Sequence, residues 1–366
     1  MQTLSDFYKN KKVLITGHTG FKGAWLAFLL RHWGARVVGI ALPAHTNPNL
    51  FTLLGLDASI KNYVLDISDY ASLKKIFEKE KPEIVFHLAA LALVRKSYDE
   101  PLATFAVNTL GTAHVLQAMK DAGSARAGVI ITTDKVYENK EENKPFHERD
   151  ALGGHDPYSA SKAAADIITT SYMRSFFNRP NREGELTALA SIAVARSGNV
   201  IGGGDWGADR LMPDFVRAVY EDHTQMIIRN PDHVRPWQFI LDLLDGYLRL
   251  GKSLYSEGGA ASGSWNFGPD EENCVQVKDV LDRAISVLGQ GAYAVARDTG
   301  RHEAGTLKLD ATKAKTNLSW TPRYGIQETI EATLEWYKHF YEQKGNMAEF
   351  TTAQINNFFA PQADTS

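Results

Sequence analysis

One cysteine, Cys274, stands in a chain of 366 residues. A lone thiol makes no internal disulfide and no cysteine zinc cluster, and it suits a reducing compartment. Long apolar runs are missing too: none approaches the roughly 20 residues of a membrane span, and residues 1–12 have no signal-peptide core. The expectation is a soluble cytoplasmic protein. Neither sign of charge dominates, since 40 Lys and Arg face 43 Asp and Glu for a net −3. That balance gives no reason to expect nucleic acid or a membrane surface as partner. The histidines show no metal-ligand spacing, and the chain has no internal repeat. What remains is globular composition, 44% hydrophobic and 23% charged, with length for one large or two smaller cores.

The apolar pattern alternates between short runs and helical periodicity. Strands are expected at 12–16, 36–42, 63–66, 83–88, 128–133 and 186–196, and helices at 21–33, 70–79, 101–122 and 157–177. This order predicts an α/β fold with a doubly wound parallel (Rossmann) sheet. Its ligand crevice should lie at the carboxyl ends of the strands. Beyond Arg196 the pattern loosens, with a glycine-rich loop expected at 198–207 and a long helix at 325–341. The expected division is a cofactor domain of 1–196 plus about 234–258. A smaller C-terminal substrate-binding domain takes about 197–233 plus 259–345, and 346–366 forms a tail.

Gly17-His18-Thr19-Gly20-Phe21-Lys22-Gly23 lies between the first strand and the first helix. Its glycines allow a tight turn and close approach of a pyrophosphate to the helix N-terminus. Asp66, at the third strand's end, suits an adenine edge or caps the next helix. The second strand ends in Ile40-Ala41-Leu42-Pro43, with neither the acid that selects NAD nor an arginine for NADP.

A second constellation is Thr132-Thr133-Asp134-Lys135-Val136-Tyr137, read with Tyr158-Ser159-Ala160-Ser161-Lys162. Tyr158 and Lys162 are four residues apart and share a helix face. A neighbouring ammonium favours phenolate, so Tyr158 is the expected base for a hydroxyl proton. Asp134 and Lys135 exceed what a simple dehydrogenase needs.

With His87-Leu88-Ala89-Ala90 and Asn108-Thr109-Leu110-Gly111-Thr112 added, the chain resembles the extended short-chain dehydrogenase/reductase family over nearly its whole length. Within it the chain is similar to the CDP-sugar branch of the nucleotide-sugar 4,6-dehydratases. The branch motifs are the glycine loop, Thr133-Asp134-Lys135-Val136-Tyr137, Gly198-Asn199-Val200-Ile201-Gly202-Gly203-Gly204-Asp205-Trp206, and Arg235-Pro236-Trp237-Gln238. The dTDP-sugar relatives carry Glu where this chain has Lys135.

The resemblance implies conversion of CDP-D-glucose to CDP-4-keto-6-deoxy-D-glucose with loss of water, by hydride transfer from C4 to NAD and back to C6. It assigns Thr133, Asp134, Lys135, Tyr158 and Lys162 to catalysis, with Asp134 as acid and Lys135 as base or as stabiliser of the enolate. It assigns Gly17, Thr19, Gly20, Phe21, Lys22, Gly23, Asp66, Ala89, Asn108, Tyr158 and Lys162 to NAD. Asn199, Arg210 and Arg235 would hold the nucleotide diphosphate, and Arg301-His302-Glu303 would lie near it. Trp206 and Trp237 line the pocket or belong to the core. The apolar faces of 101–122 and 157–177 imply a homodimer or a tetramer, and the product would enter 3,6-dideoxyhexose synthesis. Epimerases and decarboxylases of the same fold need Tyr158 but not Asp134 and Lys135. A non-catalytic NAD(P) sensor on this fold would need neither Tyr158 nor Lys162.

Overall fold

The computed structural model describes residues 2–142, 144–177, 190–296 and 306–361. Its centre is a seven-stranded parallel sheet. In chain order the strands are β1 (Lys12–Thr16), β2 (Arg36–Ala41), β3 (Lys61–Val64), β4 (Ile84–His87), β5 (Ala127–Ile131), β6 (Ser191–Ser197), β7 (Asn199–Ile201), β8 (Met226–Ile228), β9 (Val234–Phe239), β10 (Gly263–Phe267), β11 (Cys274–Gln276) and β12 (Tyr293–Val295). The large sheet runs β10-β6-β5-β4-β1-β2-β3. The chain leaves β1 toward β2 on one side and later returns to β4 on the other, so a crevice opens where the winding reverses.

Side-chain alternation explains the two layers. Val13 and Ile15 of β1 join one core with Trp25, Leu244 and Tyr247, while Leu14 joins the opposite core with Phe77, Val115 and Leu116. Both faces are therefore apolar, and helices cover both. The helices Phe21–His32 and Ile240–Glu257 lie on the first face, and Tyr70–Glu80 and Gly111–Ala122 on the second.

Several sequence expectations change here. Gly263–Phe267, placed by the sequence reading in the smaller domain, is an outer strand of the large sheet, paired with β6 from Gly263↔Ala193 to Phe267↔Ser197. Trp265 and Phe267 bury on one side of it, too short a run to stand out from the surrounding pattern. Residues 198–207 are not all loop: β7 pairs with β9, and β11 with β9's other edge, in a separate three-stranded sheet. The expected tail is not simply a tail over its described residues, 346–361. Met347–Phe359 is a helix whose Phe359 meets Trp33 edge-on at 4.9 Å, and Trp336 Nε1 donates to Thr351 Oγ1. The expected helix 101–122 is broken by a wide π turn, Ala106–Leu110, that carries the buried Asn108. Of the expected strand 186–196, residues 186–189 lie outside the described residues, as do Arg301, His302 and Glu303. No described helix is long and apolar enough to cross a membrane.

Candidate active site

A cleft of about 710 Å³ runs along the carboxyl ends of β1, β4, β5 and β6, closed on its far side by the segment 198–237. The glycine turn forms one end. Gly17 has φ +77°, and a Cβ there would lie 2.6 Å from the Ala89 nitrogen. A Cβ on Gly23 would lie 2.2 Å from the Gly17 oxygen, so the turn closes only on glycine. Gly20 caps the helix Phe21–His32 without a side-chain hydrogen bond. The first N–H groups of that helix lack intrahelical acceptors and open toward a cleft lined by Gly20, Phe21, Lys22 and Gly23. Backbone donors at a helix N-terminus fit an anionic pyrophosphate, so these residues suit a dinucleotide.

Thr19 Oγ1 donates to the Leu42 carbonyl at 2.9 Å and ties the turn to the end of β2. Asp66 lines the cleft and accepts from the Ser68 nitrogen at 2.8 Å. It does not cap the next helix; Asp69 does. Ala89 lines the cleft, whereas Asn108 lies behind it. The Asn108 amide donates to Leu91 O and Ser161 Oγ, and its oxygen accepts from Leu91 N. It shapes the loop after β4 rather than forming the cleft wall. Lys22 reaches across to Ser197 Oγ at 3.4 Å. Burial and then the Arg210 guanidinium push its ammonium down to about 7, against the pull of Asp134.

The catalytic candidates converge from two elements. Asp134 and Lys135 sit on a single short turn, Asp134–Val136, capped by Thr133. Thr133 Oγ1 donates to Asp134 Oδ1 at 2.9 Å, and Lys135 Nζ lies 3.6 Å from the same oxygen. Tyr158 and Lys162 share one face of the helix Pro157–Tyr172, whose start is fixed by Pro157 and by Asp156 accepting from Ser159 N. Thr133, Lys135, Tyr158 and Lys162 line the cleft; Asp134 is fully buried beneath it.

One electrostatic expectation is corrected. Lys162 is not among the main influences on the Tyr158 phenol. Burial pushes the Tyr158 phenol up to about 12; the Thr133 hydroxyl opposes this, Asp134 adds to it and Arg210 opposes it. The Lys162 ammonium instead donates to the Ile131 carbonyl at 2.9 Å, and burial pushes it down to about 8. Helix spacing put the two residues on one face, but it carried no information on how deeply both would be buried.

Asn199, Arg210 and Arg235 all line the cleft. Arg210 is paired with Asp205 at 2.6 Å, and Arg235 donates to the Val234 carbonyl. Trp206 and Trp237 reach the cleft wall yet are buried, Trp206 among Trp336, Tyr337 and Phe340, and Trp237 with its Nε1 on Val275 O. Sequence reasoning missed Arg229, which lines the cleft and pairs with Asp209 at 3.2 Å, and no motif marks it. It also missed Asp166, one helical turn past Lys162, which binds Arg196 through both oxygens; that spacing was a usable signal. Among the described residues, no group of His, Cys, Asp or Glu is placed to hold a metal ion.

The sequence model of the GDP-mannose 4,6 dehydratase family matches residues 14–333. The chain is 43% identical to the CDP-glucose 4,6-dehydratase of Salmonella typhimurium, over 91% of this chain and 92% of that protein. Its fold superposes on the UDP-glucose-4-epimerase of Stenotrophomonas maltophila, solved with bound NAD, at TM-score 0.78 and 20% identity, covering 91% of this chain and 99% of that one. It superposes on the dTDP-glucose 4,6-dehydratase of Bacillus anthracis, in complex with NAD, at TM-score 0.72 and 20% identity, covering 91% and 98%.

Proposed function

This chain belongs to the GDP-mannose 4,6 dehydratase family of extended short-chain dehydrogenases/reductases, and from that premise we propose that it converts CDP-D-glucose to CDP-4-keto-6-deoxy-D-glucose with loss of water. The observation that carries the reading is the meeting of an Asp134–Lys135 turn with a Tyr158–Lys162 helix at one cleft, in a chain 43% identical to a CDP-glucose 4,6-dehydratase. An epimerase has no use for the Asp134–Lys135 pair.

When bound along the glycine turn, NAD supplies the hydride acceptor for C4 and the donor for C6, with a positive ring that favours the Tyr158 phenolate. Tyr158 takes the C4 hydroxyl proton, and Thr133, its hydroxyl turned from Asp134 Oδ1, donates a hydrogen bond to the C4 oxygen. Lys162, anchored on Ile131, would hold the nicotinamide ribose. The C4 ketone makes the C5 proton acidic. Lys135 and Asp134 then act as one proton-sharing pair: transfer of the ammonium proton to the carboxylate, 3.6 Å away, leaves an amine base and a carboxylic acid. The amine removes the C5 proton, and the acid protonates the departing C6 hydroxyl, so one water leaves and the pair regains its charges; as hydride reaches C6 the Lys135 ammonium returns a proton to C5, and the proton taken by Tyr158 is released to recharge Lys135.

Asn199, Arg210, Arg229 and Arg235 lie on the opposite wall, and arginine forks suit a diphosphate. The active species is a homodimer or a tetramer. Supporting this are Leu102 at 85% exposure, Leu110 at 57% and Ile167 at 57%, on the helices flanking the site. On the same reading the enzyme works in the cytoplasm and its product feeds 3,6-dideoxyhexose synthesis for O-antigen. The test is incubation with NAD and, separately, CDP-, dTDP-, UDP- and GDP-glucose, followed by mass spectrometry. Loss of one water from CDP-glucose alone supports the assignment; no loss from any sugar, with NAD bound, overturns it.

A further inference from the structure

The two halves of the proposed reaction draw on different elements. Oxidation at C4 uses Tyr158 and Lys162 from one helix, whereas elimination across C5 and C6 also uses Asp134 and Lys135 from a three-residue turn. A turn that short has little rigidity of its own. Its position depends on what holds its ends.

Behind the cleft one side chain joins both elements. Arg196, in β6, is 2% exposed and does not line the cleft. Its Nε donates to Asp166 Oδ2 at 2.7 Å and its Nη2 to Asp166 Oδ1 at 3.0 Å. Asp166 continues the helix face of Tyr158 and Lys162. Arg196 Nη1 donates to Tyr137 Oη at 2.7 Å and to Glu148 O at 3.1 Å. Its Nη2 also donates to Ser264 Oγ at 2.9 Å. A guanidinium has five N–H donors, and each has a partner here. Tyr137 directly follows the Asp134–Val136 turn and closes it. Its ring stacks on Phe146 at 4.8 Å, and its hydroxyl donates to Asn266 Oδ1 at 2.7 Å.

We propose that Arg196 is a positioning residue for the elimination half-reaction, locking the Asp134–Lys135 turn to the Tyr158–Lys162 helix through Tyr137 and Asp166. The proposal rests on the 4,6-dehydratase reading. Loosening the Tyr137 end leaves the helix, and so the C4 step, in place while Asp134 and Lys135 shift relative to C5 and C6. A displacement of about 1 Å costs on the order of 10²-fold in such a step.

Tyr137→Phe tests this, because it removes only the hydroxyl and keeps the ring stack. Arg196→Lys is the second variant, keeping the charge but only three donors. Each is given NAD and CDP-glucose in single-turnover amounts, and mass spectrometry separates sugar that has lost two hydrogens from sugar that has lost water. Tyr137→Phe is expected to slow water loss at least about tenfold in single turnover and to build up the two-hydrogen-loss sugar, with KM in a separate steady-state assay nearly unchanged. Arg196→Lys should move the same ratio further in the same direction. Equal slowing of both steps, or a parent-like ratio in Tyr137→Phe, overturns the proposal while leaving the dehydratase reading intact. A parent chain that loses no water from CDP-glucose overturns both.

Discussion

The Asp134 carboxylate lies against the α-carbon of Gly198: a methyl group there would come within 3.0 Å of Asp134 Oδ2 and 2.6 Å of the Pro236 ring. That oxygen is buried without a protein hydrogen-bond partner, so the Gly198 contact helps to set where it sits. Gly198→Ala should displace the carboxylate or the Pro236 strand. The expected result is a kcat about tenfold to a hundredfold lower, with melting temperature within a few degrees of the parent. Steady-state assay and thermal unfolding check it together; an unchanged kcat refutes it.

Lys135→Arg separates the two roles open to this lysine. Arginine keeps the positive charge but does not release a proton in a protein. If Lys135 removes the C5 proton, water loss should fall by about 10²-fold or more at every pH, while loss of two hydrogens persists. Near-parent water loss would assign Lys135 to stabilising the enolate charge instead.

His87 provides a pH signature of stability. Its Nδ1 lies 2.7 Å from Thr16 Oγ1 and its Nε2 3.0 Å from Thr112 Oγ1. Burial, with a smaller contribution from the Lys162 ammonium, pushes it down to about 3. Below its ordinary value of about 6.5 the unfolded chain binds a proton that the folded chain does not. Stability should therefore fall as pH drops from about 6.5 toward 3, by at most about 5 kcal/mol. His87→Gln is expected to flatten that part of the curve in urea titrations at several pH values. A parallel curve for the variant would show that another group is responsible.

The exposed apolar residues on the two helices give a test of assembly. Leu102 and Ile167 are 85% and 57% exposed, and the proposed assembly would bury them. Leu102→Asp combined with Ile167→Lys should shift the sedimentation coefficient from dimer to monomer with the fold retained by circular dichroism. A parent chain that already sediments as a monomer counts against the assembly.

Much of the site was legible because its motifs are local. Gly17 and Gly23 are needed by a turn that closes on itself, and Tyr158 and Lys162 share a face by the pitch of one helix, so spacing alone places them. Asp134 and Lys135 are adjacent in sequence and meet at 3.6 Å. Arg229 and Arg196 were not legible, since each reaches its role across distant chain segments. The outer strand β10 was hidden for a similar reason: five residues carry too weak a period to separate strand from loop, and pairing with β6 decides the matter.

The sequence by itself determined the parallel sheet, the dinucleotide turn and the chemical types gathered for reaction, because these follow from periodicities of two and 3.6 and from contiguous motifs. Only the tertiary structure decided the electrostatics and the support of the site. Burial, a property of the whole fold, pushes Tyr158 up to about 12 and Lys162 down to about 8, contrary to what their spacing suggested. The fold also brings Arg196, Tyr137 and Asp166 together. A side chain's neighbours across 30 or 59 residues of chain are set by packing, which no local pattern records.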